Sequence, residues 1–159
     1  MAELPSFETF FEEHRSKLFG AMCLVTGNRQ EAEEITQDAF LRLWERWERV
    51  SRLEDPTGFL FRTAMNVFRN RARRATLAAR KAFGLAERGD DLAAVEDRDE
   101  VVRAMRHLTP NQRAALVLTG YLGYSSKEAA KALGVRASTV RALATKGRAT
   151  AKATMEGRR

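Results

Sequence analysis

The chain has 159 residues, enough for one domain or two small ones, which excludes a large multidomain enzyme. Apolar residues make up 44% and charged residues 31%, a balance that permits a packed core and excludes wholesale disorder. The 28 lysines and arginines outnumber the 21 aspartates and glutamates, and the net charge of +7 favours an anionic partner, nucleic acid first.

The cysteine content and the hydropathy pattern indicate where the chain works. Its single cysteine, Cys23, excludes an intramolecular disulfide and a zinc-type cysteine cluster. No run of about 18 apolar residues is present, and the first residues lack the basic then apolar layout of a signal peptide. We therefore expect a cytoplasmic chain with no metal, no cofactor and no membrane insertion.

The net charge changes sign along the chain. It is −5 over residues 1–60, +7 over 61–81, −5 over 82–100 and +10 over 101–159. An acidic segment between two basic regions is typical of a solvated linker. We expect two small domains, residues 1–75 and 98–159, joined by a flexible linker over residues 76–97.

Helix starts recur, whereas strand patterns are nearly absent, so the sequence predicts an all-α fold. Three cap residues have a partner three positions later: Asn28 with Glu31, Thr109 with Gln112, and Ser125 with Glu128. Asp55 before Pro56 offers a fourth start. The patterns predict helices over about 7–26, 29–49 and 56–82, and four shorter ones after about residue 98.

The second predicted helix has a broad apolar face. Its core-facing positions are Ala32, Ile35, Ala39, Phe40, Leu43, Trp44 and Trp47. Leu41 breaks this pattern, because it projects on the polar side with Asp38, Arg42 and Glu45. An apolar residue ringed by charge can anchor a protein partner, and single exposed leucines are also common, so both interpretations stay open.

The third predicted helix has two distinct sides. Its buried stripe is Phe61, Ala64, Met65, Phe68 and Ala72. Its other side is basic and amide-rich, with Arg62, Thr63, Asn66, Arg69, Asn70 and Arg73. Such a surface suits a nucleic-acid backbone, and the adjoining segment 46–55, with aromatic residues on both sides, is placed where an unstacked base could be held. The alternative, which we expect for most of these aromatic residues, is that they belong to the core.

Residues 125–140 have the spacing of a helix-turn-helix. Gly134 permits the tight turn, Ala130 lets the second helix cross closely, and Val140 fills the angle between the helices. Ser138 or Thr139 is expected to cap the second helix.

A second helix over about 138–155 would present two opposite arcs at about 100° per residue. The buried arc is Val140, Leu143, Ala144, Gly147 and Ala151. The other arc holds no acidic residue and consists of Ser138, Arg141, Thr145, Arg148 and Lys152. Such side chains can reach base edges and phosphates in a major groove, which favours DNA binding over a merely solvated basic face.

Four motifs in this order resemble one protein family. They are EEITQDAFLRLW at 33–44, DPTGFLFRTAMN at 55–66, LTPNQR at 108–113, and the helix-turn-helix at 125–140. Over nearly the whole chain the sequence resembles the extracytoplasmic-function sigma factors of bacterial RNA polymerase. The resemblance implies a promoter-specificity subunit that binds core RNA polymerase and promoter DNA. Family habit also suggests an anti-sigma factor as a partner, although no residue of the chain identifies one.

The resemblance further implies roles for individual residues. A region 2 domain would dock on the polymerase clamp through Asp38, Leu41, Arg42 and Glu45. It would hold a flipped −10 base in segment 46–55 and follow the −10 strand with Arg62, Asn66, Arg69, Asn70 and Arg73. A region 4 domain would read the −35 element with Ser138, Thr139, Arg141, Thr145, Lys146 and Arg148. Ala142 and Leu143 depart from the usual family pattern and leave the −35 sequence open.

The expected linker, residues 76–97, can reach at most about 70 Å, or roughly 20 base pairs, so both domains can hold one promoter. Its acidic half is expected to thread a basic channel of the polymerase. Two other functions are weaker. A helix-turn-helix regulator outside the polymerase shares only the C-terminal pattern, and a metal-dependent nuclease using Glu31, Glu33, Glu34 and Asp38 lacks a second acidic cluster or paired histidines. We expect binding, not catalysis.

Overall fold

The computed structural model describes residues 3–83 and 100–157, and every regular element in these ranges is helical, which confirms the all-α fold. The helices are α1 Phe7–Thr26, α2 Arg29–Glu45, α3 Trp47–Val50, α4 Pro56–Phe83, α5 Glu100–Met105, α6 Pro110–Leu116, α7 Ser126–Leu133 and α8 Ala137–Glu156. A π-turn, Val117–Tyr121, continues α6. No helix within the described ranges is both long and apolar enough to cross a membrane.

Side-chain caps start the helices where the sequence predicts them. Asn28 Oδ1 accepts the backbone N–H of Glu31 at 2.9 Å, and Asp55 Oδ1 accepts that of Gly58 at 2.9 Å. Complete capping boxes open α6 at Thr109 and α7 at Ser125. Because each cap satisfies amides that the first helical turn leaves free, these four starts are determined locally.

Two helix predictions need correction. The expected helix over 29–49 is two helices, because Arg46 leaves helical geometry at φ −121° and ψ 19° and α3 begins after it. The final helix, α8, lies within one residue of the helix expected over about 138–155, but with 20 residues it equals α1 in length and so is not one of four shorter helices. Its buried stripe of small side chains lets it pack against α5, α6 and α7 along its length.

The first half is built from α1, α2 and α4, which pack around fully buried side chains such as Leu18, Ile35 and Leu60. The short α3 follows α2 and contacts it. The Trp47 ring lies 5.0 Å from that of Phe10 and packs against the core. This agrees with the expectation that most aromatic residues around segment 46–55 belong to the core.

The second half is the predicted helix-turn-helix, supported by α5 and α6. Gly134 ends α7 in the left-handed conformation at φ 67°, which favours glycine. Val140, Ala144 and Gly147 are buried on α8, as the predicted arc requires. A Cβ at Gly147 would lie 3.0 Å from Leu116 Cδ1, so this position needs its small size.

The two halves pack against each other. Helix α4 contacts α7, and α1 contacts both α6 and the π-turn. Buried side chains from both halves form one contiguous apolar cluster. Helix α4 reaches Phe83, so residues 76–83 of the expected linker are helical. The rest of that linker, 84–97, including the acidic segment expected to thread a polymerase channel, lies outside the described residues.

Candidate nucleic-acid interface

The polar side of α4 faces away from the first-half core. Leu60, Ala64 and Phe68 are buried on the other side of the helix. Four of the five residues expected to follow a −10 strand are exposed together, namely Arg62, Asn66, Asn70 and Arg73. The helix thus presents a basic, amide-rich surface that suits an anionic ligand.

The fifth residue, Arg69, is only partly exposed. One guanidinium nitrogen, Nη1, donates to the carbonyl of Leu133 on α7, and Nη2 donates to Asn66 Oδ1. Burial, together with the nearby Arg73 cation, lowers the pKa of Arg69. In this arrangement the guanidinium of Arg69 is hydrogen-bonded to the second half of the chain.

A polar groove of about 520 Å³ joins the end of α2 to α4. Its lining residues are Arg42, Glu45, Arg46, Phe59, Arg62, Thr63 and Asn66. The groove therefore combines the start of segment 46–55 with two residues of the expected −10 surface. Phe59 offers a half-buried ring at its wall, although the sequence pattern singles out no one aromatic residue for this role. Its position just after the Asp55 cap is the sequence feature that marks it.

A second surface lies on α2. Leu41 is 58% exposed and Trp44 59% exposed, and both border an apolar groove of about 530 Å³ that Phe7, Phe11 and Phe40 also line. The assignment of Trp44 to the core is wrong. At about 100° per residue, Trp44 lies about 40° around the helix beyond Phe40, which forms the edge of the buried arc of α2. We call Leu41 and Trp44 the α2 apolar patch.

Charged side chains flank the α2 apolar patch. Asp38 Oδ1 lies 3.5 Å from Arg42 Nε one turn later, and Glu45 is exposed beyond them. The carboxylate of Glu34 pairs with Arg71 of α4. Glu34 and Asp38 are thus each paired with an arginine. Within residues 3–83 and 100–157, no group of three or more histidine, cysteine, aspartate or glutamate side chains could hold a metal ion.

The third surface is the outer side of α8. Six residues expected on −35 DNA are all exposed there: Ser138, Thr139, Arg141, Thr145, Lys146 and Arg148. The prediction that Ser138 or Thr139 caps this helix is wrong. Helix α8 begins at Ala137 after an extended Arg136, and no side chain caps it, so both hydroxyls lie in the first turn and point outward.

Arg148 also lines a groove between the two halves. This groove measures about 760 Å³ and has mainly apolar walls, including Leu24 of α1, Met105 of α5, Tyr121 of the π-turn and Met155 of α8. Its walls therefore come from both halves of the chain.

Comparisons with known proteins match both halves. Residues 10–77 match the family described as Sigma-70 region 2, and residues 98–150 match Sigma-70, region 4. The ECF RNA polymerase sigma factor SigE of Mycolicibacterium smegmatis is 29% identical over 92% of this chain. The chain belongs to the extracytoplasmic-function sigma factors of the sigma-70 family. It spans 60% of the length of SigE, and it is 26% identical to SigL of Mycobacterium tuberculosis over 88% of this chain and 83% of SigL.

Solved structures share the fold of this sigma factor. RpoE of Bartonella quintana, in complex with the anti-sigma factor NepR, superposes with a TM-score of 0.78 at 19% identity, covering 96% of this chain and 98% of RpoE. CnrH, in complex with the cytosolic domain of CnrY, gives 0.63 at 24% identity, covering 95% and 88%. The two-part helical architecture is therefore that of region 2 followed by region 4.

Proposed function

We propose that this sigma factor binds core RNA polymerase, reads the −35 element with α8, and captures and opens the −10 element with α4 and segment 46–55. The observation that carries the proposal is the presence of two separate basic faces, one on each sigma region. Region 2 is assigned to residues 1–75, the linker to 76–97 and region 4 to 98–159. Because promoter DNA and RNA polymerase are cytoplasmic in bacteria, we expect the sigma factor to act in the cytoplasm. The polymerase supplies the catalysis.

The outer side of α8 supports duplex readout. In a helix-turn-helix the N-terminal residues of the second helix contact base edges in the major groove. Arg141 and Thr145 lie on successive turns of α8 with exposed side chains, and arginine pairs with guanine in two hydrogen bonds. Lys146 and Arg148 supply phosphate contacts that set the register and make binding sensitive to salt.

The polar groove between α2 and α4 supports capture of an unstacked base. Its volume of about 520 Å³ and its walls of Arg62, Asn66 and Phe59 offer hydrogen bonds and an aromatic face together. Flipping a base costs a few kcal/mol, and stacking on an aromatic side chain returns about 1–3 kcal/mol. Contacts of Arg73 and Asn70 with the strand add to this, so capture shifts the equilibrium towards open DNA.

The α2 apolar patch supports polymerase docking. Leu41 and Trp44 are large, exposed and flanked by Asp38, Arg42 and Glu45, which resembles the apolar centre and polar rim of a protein interface. Covering the patch with the polymerase clamp would remove the largest exposed side chain of region 2 from water.

An anti-sigma factor is proposed as a further partner. In solved structures of this fold, RpoE is bound to the anti-sigma factor NepR, and CnrH is bound to the cytosolic domain of CnrY. We propose that the anti-sigma factor binds in the apolar groove of about 760 Å³ that Leu24 and Met155 line. A helix of the partner in this groove would contact both sigma regions at once.

Reconstitution of the purified chain with core polymerase, followed by mapping of transcript starts on fragmented genomic DNA, tests the proposed function. Arg141→Ala should lower initiation at promoters with a −35 element by about 10-fold to 100-fold, because one good base contact contributes about 1–3 kcal/mol. Lys127→Ala, an exposed change of the same charge on α7, serves as the control and should alter initiation less than twofold. Duplex binding without retention by core polymerase would instead identify a regulator outside the enzyme.

A further inference from the structure

The α2 apolar patch is too small to hold a large protein partner by itself. Trp44 is 59% exposed and Leu41 is 58% exposed, so together they offer roughly 200 Å² of apolar surface. A standard protein interface covers about 800 Å² on each partner. A partner that docks on the patch must therefore also contact the surface beside it.

A second groove between α1 and α2 adjoins the patch. It measures about 370 Å³ and shares Phe11, Gln37 and Phe40 with the apolar groove beside Trp44. The rings of Phe11 and Phe40 meet edge to face, with centroids 4.8 Å apart, so one aromatic pair contributes to both grooves. The polar groove at the other end of α2 is already proposed for the −10 base. We call the second groove the α1 groove.

Two exposed arginines give the α1 groove its chemistry. The guanidinium carbon of Arg15 on α1 lies 5.7 Å from the ring centroid of Phe11, and that of Arg29, the first residue of α2, lies 5.8 Å from the centroid of Phe19. A cation is attracted to an aromatic face, so each ring holds a guanidinium in place while its N–H groups point outward from the stack. Arg15 Nη1 lies 3.9 Å from Glu12 Oε1, which is too far for a hydrogen bond.

The spacing of the arginines indicates the kind of partner. Phe11 and Phe19 are two turns apart on α1, about 12 Å along the helix axis. The guanidiniums over these rings therefore lie at separate places along the groove, which suits carboxylates spaced along a protein segment better than one small anion. Glu33 also lines the groove, so two arginines against one glutamate leave it with a positive balance. The α1 groove thus fits an acidic segment that also brings one hydrogen-bond donor.

We propose that the polymerase docking surface extends from the α2 apolar patch into the α1 groove, where Arg15 and Arg29 bind an acidic segment of the polymerase. The inference rests on the proposed docking of the patch on polymerase. The patch supplies an apolar contribution to the affinity, and the arginines supply a charge-dependent contribution that salt weakens. One partner therefore contacts both α1 and α2.

Titration of core polymerase into the labelled full chain at two salt concentrations tests the extension. At low salt the double variant Arg15→Ala/Arg29→Ala should weaken binding by about tenfold, or about threefold for each charge contact. At about 0.5 M salt this deficit should shrink to less than about threefold, because the screening length falls to about 4 Å. The deficit of Trp44→Ala should persist at both concentrations, because apolar burial does not depend on screened charge.

Lys17→Ala is the matched control. Lys17 is an exposed cation of α1 that lines neither the α1 groove nor the apolar groove beside Trp44. Its replacement changes the net charge as each arginine replacement does, yet it should alter the Kd by less than about twofold at either salt concentration.

Phe19→Leu tests whether the ring positions Arg29. Leucine keeps an apolar side chain and removes the aromatic face. The change should weaken polymerase binding by about twofold in the unaltered chain and should have no effect in an Arg29→Ala background. A merely structural role of Phe19 would weaken binding equally in both backgrounds and would contradict the positioning role.

Photo-crosslinking gives a readout that does not depend on affinity. A p-benzoylphenylalanine in place of Ser16, which is exposed and lines the α1 groove, should crosslink to a polymerase peptide that contains aspartate or glutamate. The same group in place of Lys17 should not crosslink to that peptide.

Three results would overturn the extension: a low-salt Kd of the double arginine variant within about twofold of the unaltered chain, no crosslink from position 16 although the complex forms, or a crosslinked peptide without acidic residues. An unchanged Kd of Trp44→Ala would instead refute the proposed docking of the patch. Because Trp44 and the two arginines are replaced separately, the two failures are distinguishable.

Discussion

Replacement of Trp44 by alanine tests the proposed polymerase contact most sharply. Trp44 is 59% exposed at the end of α2, beside Leu41, and no other region of the described chain covers it. A tryptophan side chain buries roughly 200 Å² when fully covered, so about 120 Å² is left for a partner. At about 25 cal/mol per Å², covering that area contributes about 3 kcal/mol, which corresponds to about a 100-fold change in Kd.

The assay is a titration of core polymerase into the labelled sigma factor. Trp44→Ala should weaken binding by about 100-fold and Leu41→Ala by about tenfold, in proportion to the smaller area of leucine. Leu77→Ala is the matched control, because Leu77 is 52% exposed on α4 and lies outside the groove beside Trp44. Its Kd should change less than twofold.

Circular dichroism and urea unfolding establish that each variant is folded. A Kd of folded Trp44→Ala within threefold of the unaltered chain would refute the assignment of the α2 apolar patch to polymerase docking. Equal losses in Trp44→Ala and Leu77→Ala would refute it as well, since the effect would then be unspecific.

Three further predictions follow from local structure. Thr109→Ala should lower the free energy of unfolding, measured with urea, by about 1 kcal/mol, because it removes the capping box of α6. Ser138→Ala should change that free energy by less than about 0.5 kcal/mol, because the Ser138 side chain caps no helix. Val140→Ala, at a fully buried position, should cost about 2 kcal/mol in the same assay, and a smaller loss than in Thr109→Ala would contradict the packing. The pKa of Tyr124 is raised to about 12, mainly by burial and further by the nearby Asp55 and Glu128 carboxylates. The stabilising free energy from the buried neutral phenol of Tyr124 is therefore complete below pH 10 and is lost as the pH rises towards 12. An absorbance titration should show a late tyrosinate phase that Tyr124→Phe removes.

The helix starts could be predicted because their causes are local. Asn28, Asp55, Thr109 and Ser125 each satisfy amides of the turn that follows, and a sequence shows such pairs directly. Gly134 was predictable for the same reason, since the turn needs a left-handed residue. The failed cap at Ser138 shows the limit, because a one-residue shift in helix start turns a cap into a first-turn residue.

Features that depend on distant parts of the chain could not be predicted. The exposure of Trp44 depends on how far α1 and α4 cover the face of α2, and the helical period alone did not show where that cover ends. The contact of Arg69 depends on the Leu133 carbonyl, 64 residues further along the chain, so the pattern of α4 alone could not show it.

Fluorescence of 2-aminopurine at the −10 position of a promoter measures base capture itself, since this base brightens when it leaves the stack. With core polymerase and the sigma factor together, we expect a rise in fluorescence that neither protein produces alone, and a loss of that rise when Arg62 and Asn66 are both replaced by alanine. A promoter that stays closed in the presence of both proteins, or that opens equally with the double variant, would contradict capture of the −10 base by the groove between α2 and α4.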